Sequence, residues 1–439
     1  MVSISNLLIG LMISFTTSFL LTFPVRKLAY RLKVMDYPEL RKIHTKITPR
    51  MGGLAIFFGV VAGMIYLQPT IPHFLSICLG AVVIMLTGLL DDRYQLRPLV
   101  KLTGQIIAAV LLLSSGLIIE KITIPLIGVI PLNYFVGVIL TFFWIIGVTN
   151  AINLIDGLDG LATGVTTIAL SSILVMAFID QHAFVIMICI TLIGSNLGFL
   201  PHNFYPAKIY MGDTGSLFLG YSVAVISVLG LMKSITFFSF IIPILVLAIP
   251  IFDTLFSILR RMINKKNILS PDNQHIHYQL IAAGFSHRAT VLILYGFSIL
   301  FGFLGVIFSY ASFAFALILS FVILLLLHLF AEMTGVVKGG RTPVIDTVKK
   351  TAKKTKKELK DKVEPSRQEP QQQEEMNTDT EAVDEQPEEP ALPIDEASTE
   401  EEDTYDESPE QVEDTTDEPQ SSEEDDDNMG GHQRERGYS

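Results

Sequence analysis

Apolar runs of 17 to 21 residues recur eleven times in the first 340 positions, and nothing else constrains the fold as strongly. They fall at 7–23, 51–67, 73–90, 102–119, 134–152, 161–179, 183–201, 215–232, 236–256, 289–309 and 312–331. Each is long enough to cross a hydrocarbon core of about 30 Å. The first is too long for a signal-peptide core and has no basic residue before it, so it reads as a retained span. The sequence therefore predicts an all-α polytopic membrane protein of about eleven helices and excludes a soluble globular enzyme. Cys78 and Cys189 both lie within apolar runs, which excludes a disulfide-stapled secreted domain.

Charge is distributed as unevenly as hydropathy. The chain carries 44 Asp/Glu and 32 Lys/Arg, but 32 of those acids and 12 of those bases lie in 341–439. Residues 1–340 keep 12 acids and 20 bases, a net of +8, and form the expected membrane domain. A Lys-rich juxtamembrane segment, 341–363, suits anionic lipid. The stretch 364–439 is rich in Glu, Asp, Gln, Pro and Ser and reads as a disordered acidic tail. With eleven spans, 18 basic residues of the membrane domain fall on one side and only Lys121 and Lys233 on the other. The positive-inside rule then places the N-terminus outside and the tail in the cytoplasm. Ten of the twelve carboxylates share that cytoplasmic side, Glu120 and Asp180 being the exceptions. A charge costs roughly 2.5–3.5 kcal/mol at mid-membrane, so acids gathered at one face call for a compensating cation.

Four constellations carry the chemistry. Asp91-Asp92 closes an apolar run, where two carboxylates can point into a common polar site suited to Mg²⁺. Asn150, Asn153, Asp156 and Asp159 recur every third residue and predict one polar helical stripe suited to a uracil, a ribose or a metal, with Gly157 and Gly160 permitting a turn. The stretch 201–216 contains Asn203 and Tyr210 and then sets Asp213 between glycines at the start of a span, where backbone N–H groups favour a phosphate. After Asp253, itself inside an apolar run, come Arg260-Arg261 and a loop with His275 and His277, two apart on an expected extended segment. Arg260 and Arg261 suit phosphate forks or plain membrane anchoring. His44, Lys46, Arg50, Gly52 and Gly53 precede the second span.

In this order, Asp91-Asp92, the run 153–160, the run 211–216 and the His-x-His loop make the chain similar to the polyprenyl-phosphate N-acetylhexosamine-1-phosphate transferases, over about residues 20 to 330. The resemblance implies Asp213, with Asp92, as Mg²⁺ ligands, Mn²⁺ being a substitute. It implies Asp91 and Asp92 near the lipid phosphate, and His275 and His277 near the substrate phosphates. Lys46, Asn153, Asp156, Asp159, Asn203 and Tyr210 fall where the family reads the nucleoside, and Arg260 and Arg261 where it holds the pyrophosphate or sugar. The MraY-type branch has three consecutive histidines, which Ile276 interrupts here. Arg50 before Met51-Gly52-Gly53 and the Arg260-Arg261 pair match the GlcNAc-1-phosphate branch. The expected reaction is transfer of GlcNAc-1-phosphate from UDP-GlcNAc to undecaprenyl phosphate with release of UMP, as a first lipid-linked step towards teichoic acid or another surface glycan. A phospho-MurNAc-pentapeptide transferase is the alternative within the family, and a polytopic transporter the alternative outside it. Expected partners are the two substrates and membrane lipid, with a homodimer and later enzymes of the glycan route beside them and no nucleic acid. The expected location is the bacterial plasma membrane.

Overall fold

Segments that are apolar all round have no face to give to water, so they bury themselves among one another or face lipid. The computed structural model describes residues 3–37, 47–124, 128–231, 241–263, 265 and 275–333. Its helices are α1 (Ile4–Arg31), α2 (Gly53–Leu67), α3 (Phe74–Tyr94), α4 (Pro98–Ser114), α5 (Tyr134–Ile155), α6 (Leu161–Ile179), α7 (Ala183–Asn203), α8 (Gly212–Ile226), α9 (Ile241–Val246), α10 (Ala248–Ile263), α11 (Ile276–Ala282), α12 (His287–Ser309) and α13 (Phe313–Met333). A π-helical turn, Ser227–Leu231, prolongs α8. Two antiparallel ribbons complete the described chain. β1 (Met35–Asp36) pairs with β2 (Thr48–Pro49), and β3 (Lys121–Ile124) with β4 (Gly128–Pro131). Local chemistry sets several starts: Ser3, Asn133 and Ser286 accept backbone N–H groups as N-caps, and Pro98 opens α4.

The protein is an all-α polytopic membrane protein. Among the described residues, seven helices are long and apolar enough to cross a bilayer, α1, α3, α5, α6, α7, α8 with its π-helical turn, and α12. Three shorter apolar helices, α2, α4 and a stretch of α13, occupy further expected spans. The run 236–256 is not one helix in its described part. α9 ends at Val246 and α10 starts at Ala248, because Pro243 and Pro250 cannot donate to the helical ladder. Lys46, residues 266–274 and the tail from 334 onward, with the expectations placed on them, lie outside the described residues.

α8 is the axis of the bundle. Every residue from 212 to 226 is buried except Asp213, with α2, α3 and α5 packed around it. Close backbone approach fixes its register against α3. A Cβ at Gly88 would lie 2.6 Å from the carbonyl carbon of Asp213 and from Cα of Thr214. Gly88→Ala is therefore expected to cost about 1–3 kcal/mol by overpacking, read as a lower thermal midpoint of the detergent-solubilised protein. An unchanged midpoint would mean that α3 and α8 do not touch there. The same contact brings Asp91 and Asp92, one turn further along α3, to the start of α8.

Candidate active site

At one end of the bundle the ends of α3, α5 and α7 meet the starts of α2, α4, α6, α8 and α12, so residues remote in sequence share a site. Asp92 is buried and organises the start of α8. Its Oδ1 accepts the Asp213 N–H at 2.9 Å, and its Oδ2 accepts the Thr214 N–H at 3.0 Å and the Thr214 hydroxyl at 2.6 Å. These are the exposed donors of a helix N-terminus, which an anion satisfies well. Asp91 accepts the Leu96 N–H at 2.9 Å through Oδ1 and turns Oδ2 to Lys101, 3.2 Å away. Lys101 also pairs directly with Asp213 Oδ2. One ammonium thus bridges two carboxylates. Arg50 lies 3.9 Å from Asp92 and 3.8 Å from Asp36. Burial opposes the Arg50 charge, but Asp92 and then Asp36 outweigh it and hold its pKa above the usual value.

A cleft of about 420 Å³ opens beside this cluster, its wall including Arg50, Asp156, Asp159, Asn203, Tyr210 and His287. The chain zips together to form it: Tyr210 N–H donates to Pro49 O at 2.8 Å, and Gly52 N–H to Tyr210 O at 2.9 Å. Asp159 Oδ2 accepts the Ala207 N–H at 2.9 Å, while its own N–H donates to His287 Nε2 at 3.0 Å. Desolvation, reinforced by Asp213, pushes the Asp156 carboxyl up to about 8. Desolvation and Asp159 push the Tyr210 phenol up to about 12. Both shifts favour the uncharged forms at the cleft wall. On the rim, Tyr205 stacks on His287 at 4.4 Å between centroids, with the Arg288 guanidinium 5.5 Å over the Tyr205 ring.

The structure redistributes several expected roles. Asn150, Asn153, Asp156 and Asp159 do not form one helical stripe, because α5 ends at Ile155 and Gly160 adopts φ +77° in the turn that follows. Asn150 exchanges two hydrogen bonds with Gln105, and Asn153 donates to Ser216 at 2.8 Å, so these amides tie α5 to α4 and α8. Asp92, expected as a second metal ligand, has both oxygens engaged at the α8 N-terminus, while Asp91 and Asp213 each turn an oxygen to the Lys101 ammonium. Asn203 touches the cleft, yet it accepts from Thr163 and donates to Ile209 O. His275 and His277 do not lie on an extended segment. His275 caps α11 and His277 sits within it, because Asp253 accepts the Ile276 N–H. Neither histidine is among the cleft-lining residues, but His277 abuts Gly157 and the next residue, Tyr278, lines the cleft. Arg260 and Arg261 close α10 away from the cleft wall. Lys101, Gln105 and His287 were not singled out by sequence. Lys101 is one of eighteen bases on its side, although its place in the first turn after Arg97-Pro98 is a signal that it sits at a helix start.

The donor set fits a hard divalent cation. Asp91 and Asp213 direct one oxygen each at a single point of positive charge, and Mg²⁺ characteristically takes one or two carboxylates and completes its shell with water and phosphate. Among the described residues there is no cage of three or more His, Cys, Asp or Glu, so substrate oxygens would have to complete the shell.

A multi-span helical frame whose carboxylates meet at one end, beside a polar cleft, is the setting of a membrane transferase. The chain belongs to glycosyl transferase family 4. The model of that family matches residues 74–231, which hold Asp91, Asp92, Asp156, Asp159, Asn203 and Asp213. Over 336 residues the chain is 44% identical to a probable undecaprenyl-phosphate N-acetylglucosaminyl 1-phosphate transferase of Bacillus subtilis (strain 168), covering 76% of this chain and 93% of the relative. It is 37% identical over 319 residues to a decaprenyl-phosphate N-acetylglucosaminephosphotransferase of Mycobacterium tuberculosis, covering 66% and 78%. An undecaprenyl-phosphate alpha-N-acetylglucosaminyl 1-phosphate transferase of Escherichia coli (strain K12) is 28% identical over 315 residues, covering 68% and 82%.

Proposed function

We propose that the protein transfers GlcNAc-1-phosphate from UDP-GlcNAc to undecaprenyl phosphate, releasing UMP and forming undecaprenyl-diphospho-GlcNAc for a cell-surface glycan such as teichoic acid. The observation that carries this reading is the pairing of Asp91 and Asp213 across Lys101, beside a cleft walled by Asp156, Asp159 and Tyr210. The names of the relatives support the sugar and the lipid. In this reading eleven spans place the N-terminus outside and the site at the cytoplasmic face of the plasma membrane, supported by the segregation of basic residues.

Asp156 and Tyr210 receive the uridine, the first by donating from its protonated carboxyl and the second by stacking. Lys101 and Arg50 hold the donor phosphates. Asp91 orients the attacking oxygen of the lipid phosphate, which needs no strong base because that phosphate's second pKa lies near neutrality. Mg²⁺ held by Asp213 and Asp91 would supply charge neutralisation at the diphosphate. Attack is direct, since the acceptor phosphate is already a competent nucleophile.

Purified protein with undecaprenyl phosphate and Mg²⁺ should release UMP from UDP-GlcNAc and not from UDP-MurNAc-pentapeptide. Asp213→Asn should reduce that release at least about 10²-fold. Release from the pentapeptide donor alone would move the protein to the other branch. No release from either, by folded protein, would remove the proposal.

A further inference from the structure

His287 opens α12 and lines the cleft, and its ring is held from two sides. Nε2 accepts the Asp159 N–H at 3.0 Å. One face of the ring stacks on Tyr205, with centroids 4.4 Å apart and planes 28° apart. Tyr205 is anchored in turn by Arg288, which donates to its carbonyl oxygen at 3.2 Å and lies 5.5 Å over its ring. A ring clamped through one nitrogen and one face has its other nitrogen fixed in direction before any ligand arrives.

That other nitrogen is a donor. A backbone N–H can only donate, so Nε2 must offer its lone pair, and the neutral ring carries its proton on Nδ1. Among the described residues Nδ1 has no hydrogen-bond partner, yet unlike the ring nitrogens of His277 it is not enclosed by protein. Beside it stands Asp159, also on the cleft wall. Oδ2 of Asp159 is engaged by the Ala207 N–H, while Oδ1 lies 4.0 Å from His287 Nε2. A carboxylate acceptor and an imidazole donor are thus neighbours on one wall.

This pair has a complement among the pyrimidines. Uracil sets its N3–H donor beside the C4 carbonyl, whereas cytosine sets an N3 lone pair beside a C4 amino group. Uracil matches Asp159 and His287 at both points. Cytosine opposes each of them with a group of its own kind, which leaves both unpaired.

We propose that His287 is a specificity-determining residue for the nucleobase: its Nδ1–H donates to a uracil carbonyl beside Asp159, and its fixed tautomer rejects the cytosine amino group. The inference rests on the uridine reading above. A histidine that merely tied α12 to the Asp159 turn would support uridine and cytidine nucleotides alike, so the preference between them isolates the donor role.

The test measures UMP and CMP binding to the full chain in lipid nanodiscs with Mg²⁺, by calorimetry and without lipid acceptor, so that turnover plays no part. Wild type is expected to bind UMP about 10²-fold more tightly than CMP, roughly tenfold for each of the two matched points. His287→Phe keeps a ring to stack on Tyr205 and removes the donor, so the preference should fall to about tenfold, the part due to Asp159. His287→Asn sets an amide near the place of Nδ1 that can turn either its nitrogen or its oxygen to the base. It should hold UMP better than His287→Phe does and accept CMP as well, again at a preference of about tenfold or less. Thermal midpoints show that each variant is folded. Nitrogen-15 spectra of wild type, with His287 assigned by its loss in the variants, should show the Nδ1–H ring and a shift of that resonance with UMP. A ring protonated at Nε2 overturns the proposal, as does a preference for UMP that stays at the wild-type value in both folded variants. Equal binding of UMP and CMP by wild type overturns it too, while leaving the cleft a nucleotide site. Wild type that binds neither nucleotide removes the uridine reading and the proposal together.

Discussion

Lys101→Met is expected to lower kcat/KM for UMP release by about 10³-fold while the protein binds divalent cations more tightly. The two effects have opposite signs and one cause. Lys101 Nζ contacts Asp91 and Asp213 together, so its ammonium competes with a metal for the same oxygens. Removing it leaves two facing carboxylates with no cation between them, which strengthens binding of Mg²⁺ or Mn²⁺ in direct titration. It also removes a fixed positive charge from the place where phosphoryl charge builds as the leaving group departs, an effect worth about 10²–10³-fold in rate at comparable sites. Lys101→Arg should not rescue, because a planar five-donor fork does not fit the place of a compact ammonium between two oxygens. Activity within threefold of wild type would make Lys101 a mere occupant of the metal position, displaced when the cation binds. A weaker metal affinity in Lys101→Met would contradict the bridging geometry itself.

The contrast between Lys101 and Asp213 shows what could be read in the sequence. Asp213 stands between two glycines at the head of an apolar run, so its isolation was legible from neighbouring residues. Lys101 lies in an ordinary basic loop pattern, and one of its two partners, Asp213, is 112 residues away. Apolar length is a local property, which is why nearly every expected span has a helix beneath it. The break between α9 and α10 also has a local cause, in Pro243 and Pro250. Pairings across the bundle have no such signature. Asp159 and its partner His287 are 128 residues apart, and Gln105 and Asn150 are 45 apart. The polar stripe failed because a three-residue spacing suits a helix only while the helix continues, and Gly157 and Gly160 end α5 before Asp156 can join it. α11 escaped notice because the group that starts it, Asp253, belongs to another helix. The carboxylate cluster was thus foreseeable as a set of acids on one side, but not as the particular geometry in which Asp92 builds the helix start, Asp91 faces Asp213, and Lys101 bridges them.

His277 should make the protein acid-labile. The ring is fully buried in α11, outside the spans, and burial pushes its pKa from the ordinary 6.5 down to about 4. Below pH 6.5 the unfolded chain takes up a proton at this position that the folded chain refuses until about pH 4. The unfolded state therefore binds more protons across that window, and stability falls as pH falls. A shift of about 2.5 units corresponds to roughly 3 kcal/mol between neutral pH and pH 4. His277→Gln carries no titrating group, so its thermal midpoint should fall less than that of wild type between pH 7 and pH 4, even if it starts lower from the imperfect fit beside Gly157. Parallel pH profiles for wild type and His277→Gln would mean that the ring is not a neutral buried imidazole.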